Sequence, residues 1–252
     1  MDPFQLTVLA AAALATSILS AIVGMAGGIT LLSVMLLFLE PLAAIPLHGV
    51  VQLISNASRT AIQRRYVDRA ILWRYSWFLL PMGFAGLAVA QALPSSGVRA
   101  GIGLFVLLAT WAPAWLMLGA HPERADPSRR FAALGGVVGF LGPTLGATGP
   151  LIAPFFLHIG LPRQGVIGTK AACQTLGHLA KIVVFGVAGF AFHEYWLPLT
   201  LLCAMVILGT AIGSRLLERV NEIWFVRLYK TVLTLIAIRL VVAEGLSALG
   251  TL

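Results

Sequence analysis

Residues 21–60 read AIVGMAGGITLLSVMLLFLEPLAAIPLHGVVQLISNASRT, and residues 139–181 read GFLGPTLGATGPLIAPFFLHIGLPRQGVIGTKAACQTLGHLAK. In both, an apolar run is interrupted by a glycine cluster, Gly24-Met25-Ala26-Gly27-Gly28 in the first and Gly146-Ala147-Thr148-Gly149-Pro150 in the second. Such clusters break helices, because glycine disfavours the helix interior and proline cannot continue it. A shift of 122 residues lays Gly24 on Gly146, Gly27 on Gly149, Ile45 on Ile167 and Gln52 on Gln174. The polar pattern repeats too: His48, Gln52, Asn56 and Arg59 fall on Lys170, Gln174, His178 and Lys181. With shifts a few residues longer, Gly83 aligns on Gly209 and Arg99 on Arg227. The chain therefore reads as two related halves, 1–121 and 131–252, joined by a cytoplasmic loop at 122–130.

Outward from these stretches, the 252 residues are 59% hydrophobic and only 10% charged, with a mean hydropathy of +0.95. That composition belongs to membrane proteins. No charge occurs between Asp2 and Glu40, a stretch that would be roughly 55 Å long as one helix against a hydrocarbon core of about 30 Å. It must break, tilt or double back. Apolar runs cover 4–39, 42–62, 72–93, 100–120, 131–159, 164–192, 195–217 and 224–246, and the two overlong ones carry the glycine clusters. The formal charge of +8 sits between apolar runs and not on a soluble basic face, which argues against nucleic acid as a partner. Cys173 and Cys203 lie inside apolar segments, without the spacing of a disulfide framework or a zinc site. The N-terminal run has no basic n-region and is too long for a signal peptide, so it reads as mature protein.

Arginine placement orients the segments. If each overlong run crosses once, six loop arginines (Arg64, Arg65, Arg69, Arg124, Arg129, Arg130) face four (Arg99, Arg163, Arg215, Arg219). If each turns back at its break, nine share one side with only Arg99 opposite, which satisfies the positive-inside rule. An odd number of crossings per half makes the repeats inverted and puts both termini outside the cytoplasm. The expected architecture is all-α: a polytopic helical membrane protein of two inverted repeats, each with a glycine-interrupted first helix, broken or re-entrant.

Offsets of 0, 4, 8 and 11 fall within about 80° of one another on a helix, so each polar set forms a narrow stripe. A buried Lys or Arg at membrane depth costs about 2.5–3.5 kcal/mol on the insertion scale, which makes a pathway the default reading. Interhelical hydrogen bonding is the plainer alternative, and Arg59 could instead snorkel into the basic loop that follows. At the breaks, unpaired backbone N–H groups of Gly27, Gly28, Thr148 and Gly149 suit an anion, with Pro150 in the first turn of the restarting helix. The alternative there is that the glycines only allow close packing. No Asp or Glu lies deep in a segment, so the interior suits anions over cations or metals. There is no GxSxG, no HExxH and no acidic pair, so neither a catalytic residue nor a metal or cofactor is expected. Ser17, Ser20, Ser55 and Ser58 read as helix-packing hydroxyls. Tryptophans 73, 77, 111, 115, 196 and 224 lie near segment ends as interfacial anchors.

The two quoted stretches, together with the basic loop QRRYVDRAILW at residues 63–73, resemble the sulfite exporter TauE/SafE family, also called the toluene sulfonate uptake permease family. The family has two related halves, each with an apolar helix, a GxGGG-type break, a short apolar run and a GTS-like helix start. This chain departs from the pattern in lacking a first-half counterpart of Pro154, in having Pro46-Leu47 where the second half has Gly168-Thr169, and in having Pro150 for a glycine. The resemblance implies a transporter of sulfite, sulfonates or related small organic anions in the bacterial inner membrane. On the residues, Gln52, Asn56, Gln174, His178 and Lys181 together with the glycine breaks are the expected binding groups, and His48, Arg59 and Lys170 form a secondary pathway. His178 could titrate with transport. The expected partners are a small anionic substrate, sulfite or an organosulfonate, the lipid bilayer and, as an option, further copies of the chain. An anion channel and a membrane scaffold are the rival readings.

Overall fold

The computed structural model describes residues 1–252 except 24–25, 119–124, 157–158, 217–221 and 250–252. Among the described residues it is all-helical, with eleven α-helices and no strand. The first half contains α1 (Pro3–Val23), α2 (Ala26–Met35), α3 (Pro41–Ile62), α4 (Arg69–Ser76), α5 (Leu79–Ala92) and α6 (Ser95–Trp111). The second contains α7 (Pro127–Leu145), α8 (Gly149–Ile152), α9 (Arg163–Val187), α10 (Trp196–Leu216) and α11 (Glu222–Leu249).

Local chemistry sets most of the boundaries. Pro41 opens α3, where a missing N–H loses nothing. Asp68 caps α4 by accepting from Ala70 N at 2.8 Å and Ile71 N at 3.0 Å. Asp126 caps α7 through Ser128 N and Arg129 N. These bonds, the one from Arg129 first, hold the Asp126 carboxyl below the usual carboxylate range. Gly146 ends α7 at φ +76°, a conformation that favours glycine.

Several expected segments are revised. The run at 72–93 is two helices, because Pro81 cannot donate to Trp77 O and crowds it, so the chain turns at Trp77-Phe78. The run at 100–120 starts earlier, at Ser95 after Pro94, and its helix stops at Trp111 before Pro113, which opens a 3-10 turn (Pro113–Met117). Residues 127–130, assigned to the connecting loop, already belong to α7. In the second half the restart after the break is a single α turn followed by a 3-10 turn (Ala153–Phe156). Pro154, which has no N–H for a continuing α-helix, accounts for it.

The helices pack in reciprocal pairs: α1 along α10 and α5 along α7, with α3 along α9 and α6 along α11. α3 and α9 run antiparallel. Gly49 sits beside Lys181 and Ile182, whereas Gly168 sits beside Gln63, and Asp68 N donates to Thr169 Oγ1 at 3.0 Å. Glycines bring the backbones together, as is common between membrane helices. A side chain at Gly86 would overlap the Phe140 carbonyl, and one at Gly135 the Tyr75 carbonyl, at the α5–α7 and α4–α7 contacts. Gly209 and Gly213 do the same for α10 against Leu14, Ser17 and Ile18 of α1.

Two described stretches, Pro3–Ala21 and Phe192–Gly213, are long and apolar enough to cross a bilayer. Large apolar side chains stand exposed on the outer surface, among them Leu104, Ile207, Leu235 and Ile238, as a lipid-facing surface requires. Trp73, Trp77, Trp111, Trp115 and Trp196 are exposed, while the side chain of Trp224 lies outside the described residues. Gly86→Ala is expected to lower stability by about 1–3 kcal/mol through overpacking. Gly101→Ala, where an added Cβ meets nothing within 4 Å, should leave the melting temperature of the detergent-purified protein unchanged or raise it.

Candidate functional site

The two polar stripes meet because α3 and α9 cross antiparallel between the helix breaks. Gln52 and Gln174, one from each half, both line a cavity with about 370 Å³ of atom-free space. On the first-half side its wall includes Gly28, His48, Asn56 and Arg59; on the second-half side it includes Thr148, Gly149 and His178. A second cavity, with about 240 Å³ of atom-free space, adjoins it and shares Thr148, Gln174 and His178. Lys181 lines this second space with Gly142, Gly146 and Gly177. No carboxylate lines either cavity among the described residues.

Three of the four first-half groups, His48, Asn56 and Arg59, are held by a backbone or hydroxyl partner. His48 Nε2 donates to Gly28 O at 2.8 Å, tying α3 to the start of α2. Its Nδ1 is buried with no hydrogen-bond partner among the described residues, and its ring meets that of His178 edge-on at a centroid distance of 5.9 Å. The Gln52 amide lies against Gly28, where an added Cβ would come within 3.1 Å of Gln52 Oε1. Asn56 Nδ2 donates to Gln52 O one turn earlier at 2.9 Å. Arg59 does not snorkel away: its guanidinium donates to Ser20 Oγ at 2.6 Å and Ser55 Oγ at 3.3 Å, bridging α1 and α3. In the second half the Lys181 ammonium, only 3% exposed, donates to Gly146 O at 2.7 Å, at the end of α7.

Of the twelve residues singled out in the sequence, ten line one cavity or the other. Gly27 does not: its α-carbon faces α1, where a side chain would overlap the Thr16 carbonyl and crowd Ser20. Adjacent helix residues point about 100° apart, so when Gly28 faces the cavity Gly27 faces the neighbour. Lys170 is half-buried outside both linings, near enough to Arg59 for their like charges to be felt. The one-turn α8 gives Thr148 and Gly149 no long restarting helix behind them, so the expected helix-end field there is short. Ser20 and Ser55, read as packing hydroxyls, hold the Arg59 guanidinium, and Ser20 also lines the main cavity. Their signal was present in the sequence: Ser55 lies one helical turn before Arg59, and Ser20 lies just ahead of the first glycine cluster.

The chemistry of the site is that of an anion host. It offers a guanidinium, an ammonium, two imidazoles, three amides and a threonine hydroxyl, with no buried acid to hold a cation. No group of His, Cys, Asp or Glu suited to a metal occurs among the described residues.

The family model described as sulfite exporter TauE/SafE matches residues 9–240. No curated protein and no solved structure matches the chain significantly. A match over almost the whole length decides the assignment, and the basic, carboxylate-free lining of the two cavities accords with it. The chain belongs to the sulfite exporter TauE/SafE family, whose members are membrane transporters of sulfur anions and not enzymes.

Proposed function

We propose that this protein is a secondary transporter of a small sulfur oxyanion or organosulfonate in the bacterial inner membrane, binding it between the two polar stripes by alternating access. One observation carries the reading: a central cavity that draws Gln52, Asn56 and Arg59 from one half and Gln174 and His178 from the other, with no carboxylate in its lining. Amide and imidazole N–H groups match sulfonate-type oxygens, and the guanidinium supplies the countercharge. A cavity assembled from both halves is what rocking of one half against the other would open to either side.

The halves are inverted repeats in this reading. Under the correspondence of α1 with α7, α3 with α9, the α4–α5 pair with α10, and α6 with α11, the contact of α1 on α10 maps onto that of α7 on α5. The pairs α3–α9 and α6–α11 map onto themselves. The antiparallel crossing of α3 and α9, a pair related by the repeat, is the arrangement that an axis in the membrane plane produces. Both termini then lie outside the cytoplasm, and periplasmic reporters fused at either end should be active; a cytoplasmic signal from either would remove the inverted topology.

The binding test is thermal stability of the detergent-purified protein with sulfite, sulfate, thiosulfate, taurine and carboxylate controls. A ligand bound only by the folded state at a hundredfold excess over its dissociation constant stabilises by about 2.7 kcal/mol. The shift is expected for one sulfur anion and is lost in Gln174→Ala; absence of a shift with every sulfur anion would favour the scaffold reading. Gly28→Ala should cut transport while leaving the fold, because the atoms nearest the new methyl belong to the movable Gln52 amide. Gly146→Ala should cost about 1–3 kcal/mol of stability, since its φ is +76° and a Cβ there would come within 2.6 Å of Leu32 Cδ2.

A further inference from the structure

The second cavity is more than an extension of the first. Moved back by the repeat shift of 122 residues, four of its lining residues, Gly142, Gln174, His178 and Lys181, fall on Ser20, Gln52, Asn56 and Arg59. Those four are the corner of the main cavity where Arg59 is held. The cation recurs at the same point of each stripe and is anchored in a related way. Arg59 on α3 reaches back to Ser20 near the end of α1, and Lys181 on α9 reaches back to Gly146 at the end of α7. Because α3 and α9 run antiparallel, the two corners lie at opposite ends of the crossing, with Gln174, His178 and Thr148 shared between the two spaces.

Lys181 also has unused capacity. An ammonium has three donors, and the one hydrogen bond it makes among the described residues is to Gly146 O. The group is 3% exposed and lines a cavity with no carboxylate. A charge so placed calls for an anion, since desolvation is otherwise uncompensated. The wall beside it includes Gly142, where an added Cβ would meet nothing within 4 Å, so the space on that side is open.

We infer that the Lys181 cavity is a second anion station, the repeat-related counterpart of the Arg59 corner, and that a sulfur oxyanion occupies the two in turn as it crosses. The inference rests on the transporter reading above. An anion leaving the Arg59 corner passes the Gln174 amide and the His178 imidazole, which belong to both spaces, and is received by the free donors of Lys181. No proton or electron need be exchanged. The two stations give each side of the crossing its own positive group, so the anion is never left at membrane depth without one.

The test uses the full chain with inorganic sulfite as probe, measuring equilibrium binding in detergent and uptake in proteoliposomes. Lys181→Met should leave binding at the Arg59 corner, weakening apparent affinity only about twofold, as loss of one of two similar stations requires. Uptake should fall roughly tenfold or more, the scale of a charge-assisted hydrogen bond. Gly142→Leu gives the same result by filling the second cavity, where an added Cβ at position 142 meets nothing within 4 Å. It covers the case in which Lys181→Met does not fold, and Ile45 before Pro46 in α3 shows that a side chain is accommodated ahead of a helical proline. Loss of all sulfite binding in either folded variant would mean a single site and overturn the proposal, as would uptake unchanged in both. Failure of the unmodified protein to bind sulfite, sulfate or taurine would instead remove the transporter reading, and the second station with it.

Discussion

Every interrupted helix inside a membrane leaves backbone carbonyls and amides that lipid cannot satisfy, and the arrangement of this protein depends on how those groups are met. At the end of α7 the Gly146 carbonyl takes the ammonium of Lys181. At the start of α2 the Gly28 carbonyl takes the imidazole of His48. Both polar side chains come from the long helices that follow the breaks, so each half ties its own break to its own polar stripe. At Gly146 the cost of placing the ammonium at depth is offset by the terminal carbonyl it satisfies, and its remaining donors are left to face the second cavity.

Close helix contact is the second requirement, because polar groups at the breaks are useful only if the flanking backbones approach. Glycines supply that approach at α5–α7 and α4–α7 through Gly86 and Gly135, and at α1–α10 through Gly209 and Gly213. These pairs link the first half to the second, and both clusters of the hydrophobic core draw residues from each half. The apolar side chains left outside this core, such as Leu104 and Leu235, are solvated by lipid. Glycine therefore has distinct uses here: at Gly27 and Gly86 it makes room for a neighbouring helix, at Gly28 it makes room for the Gln52 amide, and at Gly142 it leaves open space beside the second cavity.

Much of the fold was legible in the sequence. The helical class, the two breaks and the polar stripes follow from run length, glycine clusters and helical periodicity, all local properties. The division of residues 72–93 at Trp77-Phe78 was also written locally, in Pro81, but the uninterrupted hydrophobicity of the run hid it. The candidate site was legible as a list of residues, and ten of the twelve line a cavity. Gly27 and Lys170 do not, and the serines that hold Arg59 were read as packing groups. Each of these depends on which neighbour a helix face meets, which periodicity leaves open.

The sequence by itself determined that this is a helical membrane protein with a repeated, carboxylate-free polar interior, because residue spacing fixes which side of a helix is polar and composition fixes its solvent. Only the tertiary structure decided that α3 and α9 cross antiparallel. That crossing places Arg59 and Lys181 in different cavities joined by Gln174 and His178. The physical reason is that rotation and crossing are set by contacts between residues more than a hundred positions apart, such as Gly49 with Lys181 and Gly168 with Gln63. A helix knows its own polar face, but the packing of its neighbours determines what that face meets.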